Sequence, residues 1–265
     1  MMNRGLELTR HAHAEGLVLE ARIQGRTRLN LIGSACAEAV AAELGRQSEL
    51  SDLRCVVLRG ASEAAFVGGA DLKELGGLTQ DTAERFIRSL HGVCAAIRDC
   101  PVPVIACVEG YCLGGGLEIA AACDFRIGAG TARFGMPEVR VGVPSVIEAA
   151  LLPGLIGWGR TRELLLRGHL IDAHEAARIG LLEHCVTPAA LDATVTAAVA
   201  DILAGAPAAL RAQKRLIRRW EESGIAAAIE AGVDAFVASY RGSEPAERTA
   251  AFFAARARAR HGAKD

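Results

Sequence analysis

Residues 101–138, PVPVIACVEGYCLGGGLEIAAACDFRIGAGTARFGMPE, constrain this chain more than any other stretch. An apolar run at 102–108 stands between Pro101, Pro103 and Gly110. It reads as a buried strand, with a helix the alternative that length alone leaves open. Gly114, Gly115 and Gly116 follow in a row, and residues 117–123 read as a short buried helix. Glycines between a strand and a helix leave amides unshielded where the helix dipole favours negative charge, a developing oxyanion included. Glu118 falls in the first turn of that helix, and Glu138 follows Met136-Pro137, where the proline ends any helix before it. A plain turn, a dipole-complementing Glu118 and a solvated Glu138 would explain the same residues without chemistry. Two carboxylates beside free amides nevertheless outline a reaction centre.

A chain of 265 residues can bury a substantial core. Hydrophobic residues make up 51% and aromatics only 4%, so that core is built from Ala, Val, Leu and Ile. Thirty basic residues balance 31 acidic ones, which gives no electrostatic reason to expect nucleic acid or an anionic membrane as partner. The basic run from Arg256 to Arg260 reads as a solvated helix face. The first twenty residues lack an apolar signal region, and no run approaches the roughly 18 apolar residues of a membrane span, so a cytoplasmic protein is expected. Eight cysteines form no CxxC pair, His169 and His174 are five apart, and no HExxH occurs. Reduced thiols and no metal are the expectation.

Along the chain, residues 17–23 read as a strand entering a hairpin or loop, and 34–47 as a helix with Ser34 at its N-cap. Residues 53–58 read as a strand. AFVGGADLKEL, 65–75, places Gly68-Gly69 before a short helix, a second glycine turn in the same setting as the first. Residues 79–98 form an amphipathic pattern with Phe86, Leu90, Val93 and Ile97 on one face. Helices are predicted at 148–155 and 161–166, and another at 174–180 behind Asp172 as cap. A strand is predicted at 184–187. From Pro188 onward the pattern is helical throughout: 189–204, 207–220, 224–239 and 244–260. Alternating strands and helices followed by a helical third predict an α/β core with a helical appendage. Gly128-Ala129-Gly130 lacks the third glycine of a dinucleotide-binding turn.

Taken together, RLNLI (28–32), AFVGGADLKEL (65–75), the central stretch to Gly128, FGMPEVRVGVP (134–144), residues 159–186 and APAALRAQKRLI (206–217) resemble the enoyl-CoA hydratase/isomerase (crotonase) superfamily over most of the chain. The resemblance implies a core of stacked ββα turns over 1–187. It implies a C-terminal helical region over 188–265 that packs between subunits of a trimer or dimer of trimers. It implies an acyl-CoA thioester substrate, no metal and no cofactor beyond the coenzyme A of the substrate. It maps an oxyanion hole onto the amides of Ala70 and Gly115 and a pair of acid–base glutamates onto Glu118 and Glu138. Main-chain groups around Val67, Gly68, Gly69, Asp71, Leu72 and Gly114 would hold the substrate, although Asp71 and Lys73 equally suit capping of the next helix. Asp124 is expected to be structural.

Retention of both glutamates favours hydration of a trans-2-enoyl-CoA. A double-bond isomerase is the enzymatic alternative, and a non-enzymatic CoA-binding member is the alternative of another class. Three features depart from the family pattern. Glu109 stands where asparagine is usual. Residues 144–150, PSVIEAA, replace a glycine-rich segment that helps line the acyl end of the pocket; there Glu148 reads as a solvent-facing helix residue rather than a third carboxylate in the pocket. Ala255, beside Arg256, stands where a lysine would reach a neighbour's CoA phosphates.

Overall fold

The structure, a computed structural model, describes residues 5–262. Its core is built from a repeated unit in which one strand joins a large sheet, the next joins a small sheet, and a helix returns the chain. Strands β1 (Leu6–His13) and β2 (Gly16–Ile23) form an antiparallel hairpin ahead of α1 (Ser34–Ser48). The first full unit is β3 (Leu53–Gly60), β4 (Ala65–Val67), α2 (Leu72–Leu75) and α3 (Gln80–Asp99). The second is β5 (Val104–Val108), β6 (Tyr111–Leu113) and α4 (Gly115–Ala122). The third is β7 (Phe125–Ala129), β8 (Arg133–Gly135) and α5 (Leu152–Arg167), followed by β9 (Leu170–Asp172), α6 (Ala173–Arg178) and β10 (His184–Val186).

The large sheet runs β1-β2-β3-β5-β7-β10 and is parallel from β2 onward; the small one runs β4-β6-β8-β9. β3 and β5 are buried along their whole length; β5 is an unbroken apolar run, while β3 carries buried Arg54 and Arg59 beside its apolar residues. Because β4, β6 and β8 pair in parallel, the turns that leave β4 and β6 lie side by side. That stacking brings residues 68–70 next to 114–116. α3 lays Phe86, Leu90, Val93 and Ile97 on the core, and Thr79 and Thr82 cap its first turn reciprocally.

Several expectations are corrected. Of the hairpin or loop expected after residues 17–23 the chain takes a loop, and the hairpin partner of β2 is β1, which precedes it and is mostly exposed. Gly33, not Ser34, occupies the N-cap of α1; the Ser34 hydroxyl bonds Glu74 instead. The first of the helices predicted at 148–155 and 161–166 opens as a 3₁₀ turn, Ile147–Leu151, and the two are parted within α5 where Gly157 leaves helical geometry (φ 72°, ψ 159°), as the two separate predictions have it. Asp172 does cap α6, accepting from Glu175 N at 2.8 Å, and Asp124 accepts from Val104 N at 2.7 Å. Six cysteines are buried, two are half-buried, and all are free thiols.

Residues up to 201 form one compact unit and those from 202 onward a second. α7 (Leu191–Ala204) ends in the second unit, which continues with α8 (Pro207–Glu221), α9 (Ile225–Ser239) and α10 (Glu244–Gly262). Glu244 accepts from the free amides of Ala208 and Ala209 at the start of α8, and Trp220 Nε1 donates to Ala228 O at 2.9 Å. Of the basic run, Arg256 and Arg258 are exposed and Arg256 lies over the Phe252 ring; the Arg260 side chain lies outside the described residues. Among the described residues no single helix is long and apolar enough to cross a membrane.

Candidate active site

Two turns create the amide cradle. In the first, Ile32 bridges to Ala70 in parallel register: Ile32 N donates to Gly69 O and Asp71 N donates to Ile32 O. Both flanking groups of Ala70 therefore face Ile32, and the Ala70 N–H points the opposite way. In the second, Gly114 adopts φ 52°, ψ −125°, which only glycine adopts without strain. It turns β6 directly into α4, so that Gly115 is the first helical residue and its N–H has no acceptor within the helix. The turns abut: a side chain on Gly116 would collide with the Val67 carbonyl, and one on Gly69 would press on Leu113 O. Glycine is required at 116 because backbone passes backbone there. At the other end of α4, buried Arg126 donates to the carbonyls of Ala120 and Cys123, fixing the helix whose first turn carries Glu118.

Glu118 and Glu138 converge on the same turn. A side chain on Gly114 would run into the Glu138 carboxylate, and one on Gly115 would meet Glu118 Oε2 at 3.9 Å. Glu118 is buried, and Glu138 is half-buried at the start of the 3₁₀ turn Glu138–Val141. Burial pushes the Glu118 pKa up to about 8, helped by the charges of Glu138 and Glu148 and opposed by hydrogen bonds from the amides of Ala149 and Val146. Burial also raises Glu138, against its own amide and the Ser145 hydroxyl. Burial thus favours the protonated form of both acids, and of Glu118 the more strongly.

The segment 145–149 organises both acids. Ser145 Oγ donates to Glu138 Oε2 at 2.9 Å, and Ala149 N donates to Glu118 Oε1 at 3.1 Å. The expectation that Glu148 faces solvent is overturned: it is 7% exposed and its Oε1 lies 2.9 Å from His91 Nδ1 on α3. It lies in the 3₁₀ turn Ile147–Leu151, whose buried residues are Glu148 and Ala149. Val139 and Val141 follow Glu138 in the chain, Val146 follows Ser145, and all three side chains are exposed.

The profile of the enoyl-CoA hydratase/isomerase family matches residues 13–257. The chain belongs to this family. It is 34% identical over 223 residues to a short-chain-enoyl-CoA hydratase of Clostridium acetobutylicum, covering 84% of this chain and 85% of that one. It is 35% identical over 198 residues to a crotonyl-CoA hydratase of Syntrophomonas wolfei, covering 74% and 76%. A crystal structure of an enoyl-CoA hydratase from Bacillus anthracis superposes with a TM-score of 0.87 at 29% identity, over 94% of this chain and 95% of that one. The fold is thus the crotonase fold of the family.

Of the residues singled out from sequence, Val67, Gly68, Gly69, Ala70, Gly114, Gly115, Glu118 and Glu138 gather at these two turns. Leu72 starts α2 and is exposed. Asp71 is buried and already engaged: one oxygen accepts from Lys73 N at 3.0 Å and caps α2, the other pairs with Arg26 at 3.0 Å. Sequence reasoning did not find Ser145 or His91 as partners. Ser145 carried a signal, since it lies in the segment that departs from the family pattern; His91 carried none, because it sits on an ordinary amphipathic helix.

Proposed function

We propose that this protein is an enoyl-CoA hydratase, adding water reversibly and syn across a trans-2-enoyl-CoA to give a 3-hydroxyacyl-CoA. The observation that carries the reading is the convergence of two raised carboxylates on a glycine turn whose amides have no partner in the helix. Ala70 N–H and Gly115 N–H would accept the thioester oxygen. As water adds at C3, that oxygen takes up enolate charge, and a preorganised donor of this kind is worth about 2.7–4 kcal/mol in the transition state. Ionised Glu138 takes a proton from the water while protonated Glu118 gives one to C2; proton exchange between the two acids restores the starting state. No electrons change hands, so the reaction needs no redox cofactor, and the two amides do the work of a Lewis acid.

The acyl chain would lie along the exposed valines 139, 141 and 146. We also propose a homo-oligomer, trimer or dimer of trimers. Ile225, Ile229, Val233, Phe236 and Val237 form one stripe along α9 at helical spacing and are each more than half exposed, a face that an isolated chain would leave in water. Light scattering on the purified protein tests this, and a monomer at micromolar concentration would refute it.

Hydration of crotonyl-CoA, followed as loss of the enone absorbance, tests the reaction. Turnover by the native protein is expected, with a loss of about 10²–10⁴-fold in Glu138→Gln while CoA-ester binding persists. Solvent deuterium entering a 3-enoyl-CoA without net hydration would instead make the protein a double-bond isomerase.

A further inference from the structure

The reaction assigned above uses Glu118 and Glu138 and leaves a third buried acid, Glu148, without a role. Glu148 is held from α3: Oε1 meets His91 Nδ1 and the Cys94 thiol bonds the same carboxylate, whereas Oε2 lies buried outside hydrogen-bond distance of any partner. A buried carboxylate oxygen left unpaired is costly, and such groups persist where their position serves something else. The residues around it show what that is. Ser145, three positions earlier, holds Glu138, and Ala149, the next residue, holds Glu118. Between them Ile147 adopts φ 36°, a left-handed conformation that a β-branched side chain resists. A short strained segment thus carries the hydrogen bonds to both acids, and the His91–Glu148 contact ties that segment to α3.

We propose that Glu148 and His91 are a positioning pair, which fixes residues 145–149 against α3 and sets the placement of Glu118 and the charge it faces. The proposal rests on the hydratase reading for its kinetic consequences but not for its structural ones. The groups facing Glu148 can be named element by element. α3 contributes His91, whose side chain is half exposed to solvent, and Cys94, whose thiol burial and the Glu148 charge hold well above the ordinary range. α4 contributes Glu118, which the Glu148 charge pushes upward. The charged residues of α5 are occupied elsewhere, with Arg160 and Arg167 on Glu163 and Arg162 over Trp158. A negative charge beside Glu118 without a cation of α4 or α5 to offset it favours the protonated acid. His91 is the one nitrogen in contact with Glu148 that solvent also reaches, so the pair gives the active site a link to the outside through α3.

The test reads Glu118 without substrate. The infrared band of the protonated Glu118 carboxyl, identified by its loss in Glu118→Gln, is titrated in the native protein and in Glu148→Gln, which keeps the shape and the His91 contact but removes the charge. The midpoint is expected to move down by about one pH unit. In the kinetic arm, His91→Ala releases the segment: kcat should fall roughly tenfold with KM for the CoA ester changed less than about twofold, and His91→Asn, which can still donate, should restore most of it. His91 is half exposed, so its substitutions leave the core packed. An unchanged Glu118 midpoint in Glu148→Gln, or native kcat in His91→Ala, overturns the proposal. If no enoyl-CoA is hydrated at all, the assigned reaction fails, and the Glu118 titration still decides this one.

Discussion

The turn at 68–71 and the turn at 114–118 are built alike. Each follows a three-residue strand of the small sheet, each has an amide without a partner in its own turn, and each is followed by an acid that ends up buried. The acids differ in company. Asp71 receives a guanidinium and a helix-capping amide, so its charge is neutralised on the spot. Glu118 receives two amides and no cation, with two further carboxylates close by. The same local architecture yields a structural cap in one case and, in the other, a buried acid pushed toward its protonated form. What separates them is the withholding of a positive charge, since burial without a cation is what lifts a carboxylate toward neutrality.

The comparison is broken most directly by exchanging what each acid can do. Glu118→Gln keeps the hydrogen-bond acceptor for Ala149 N but cannot pass a proton. Its kcat for enoyl-CoA hydration should drop by about 10²–10⁴-fold with little change in KM. Asp71→Asn at the equivalent place should cost less than about threefold, because asparagine caps a helix as well as aspartate does. A large kcat loss in the Asp71 variant, measured alongside Glu118→Gln in the same assay, would erase the distinction.

The two turns also show what could be read from residues alone. Gly68-Gly69 and the triple glycine announce themselves, because close backbone passage and a positive φ leave few other choices, and Glu118 and Glu138 lie at fixed offsets from them. The buried runs of β3 and β5 are as plain. Partnerships across the chain are not: Arg26 with Asp71 spans 45 residues and His91 with Glu148 spans 57. No local pattern encodes them. Glu148 was misplaced for the same reason, since the His91 that holds it in the interior lies far away in the chain. β1 escaped as a mostly exposed edge strand.

A second, smaller effect should appear in stability. The folded-state pKa of Glu118 lies near 8, above the ordinary carboxylate value that the unfolded chain retains. The folded protein therefore binds more protons than the unfolded one across the interval between those values, and its stability falls as pH rises through it. Glu118→Gln removes this titration. Relative to the native protein it should gain nothing at pH 4 and up to a few kcal/mol by pH 8.5, visible as a Tm difference that widens with pH. A Tm difference independent of pH would mean that Glu118 is already ionised at neutrality, and the contrast with Asp71 would then lose its electrostatic basis.

The smallest effect concerns the cation that Asp71 enjoys. Arg26 is 68% exposed at its side chain, so its pair with Asp71 is screened and worth at most about 1 kcal/mol. Arg26→Ala should lower stability by no more than that, and the loss should shrink in high salt. It also leaves Asp71 buried with only its capping amide, which is half of the environment that Glu118 has. A loss that is flat with salt would show that Arg26 acts by packing its aliphatic stem on the turn. In that case withheld charge would explain Glu118 but not, by its presence, Asp71.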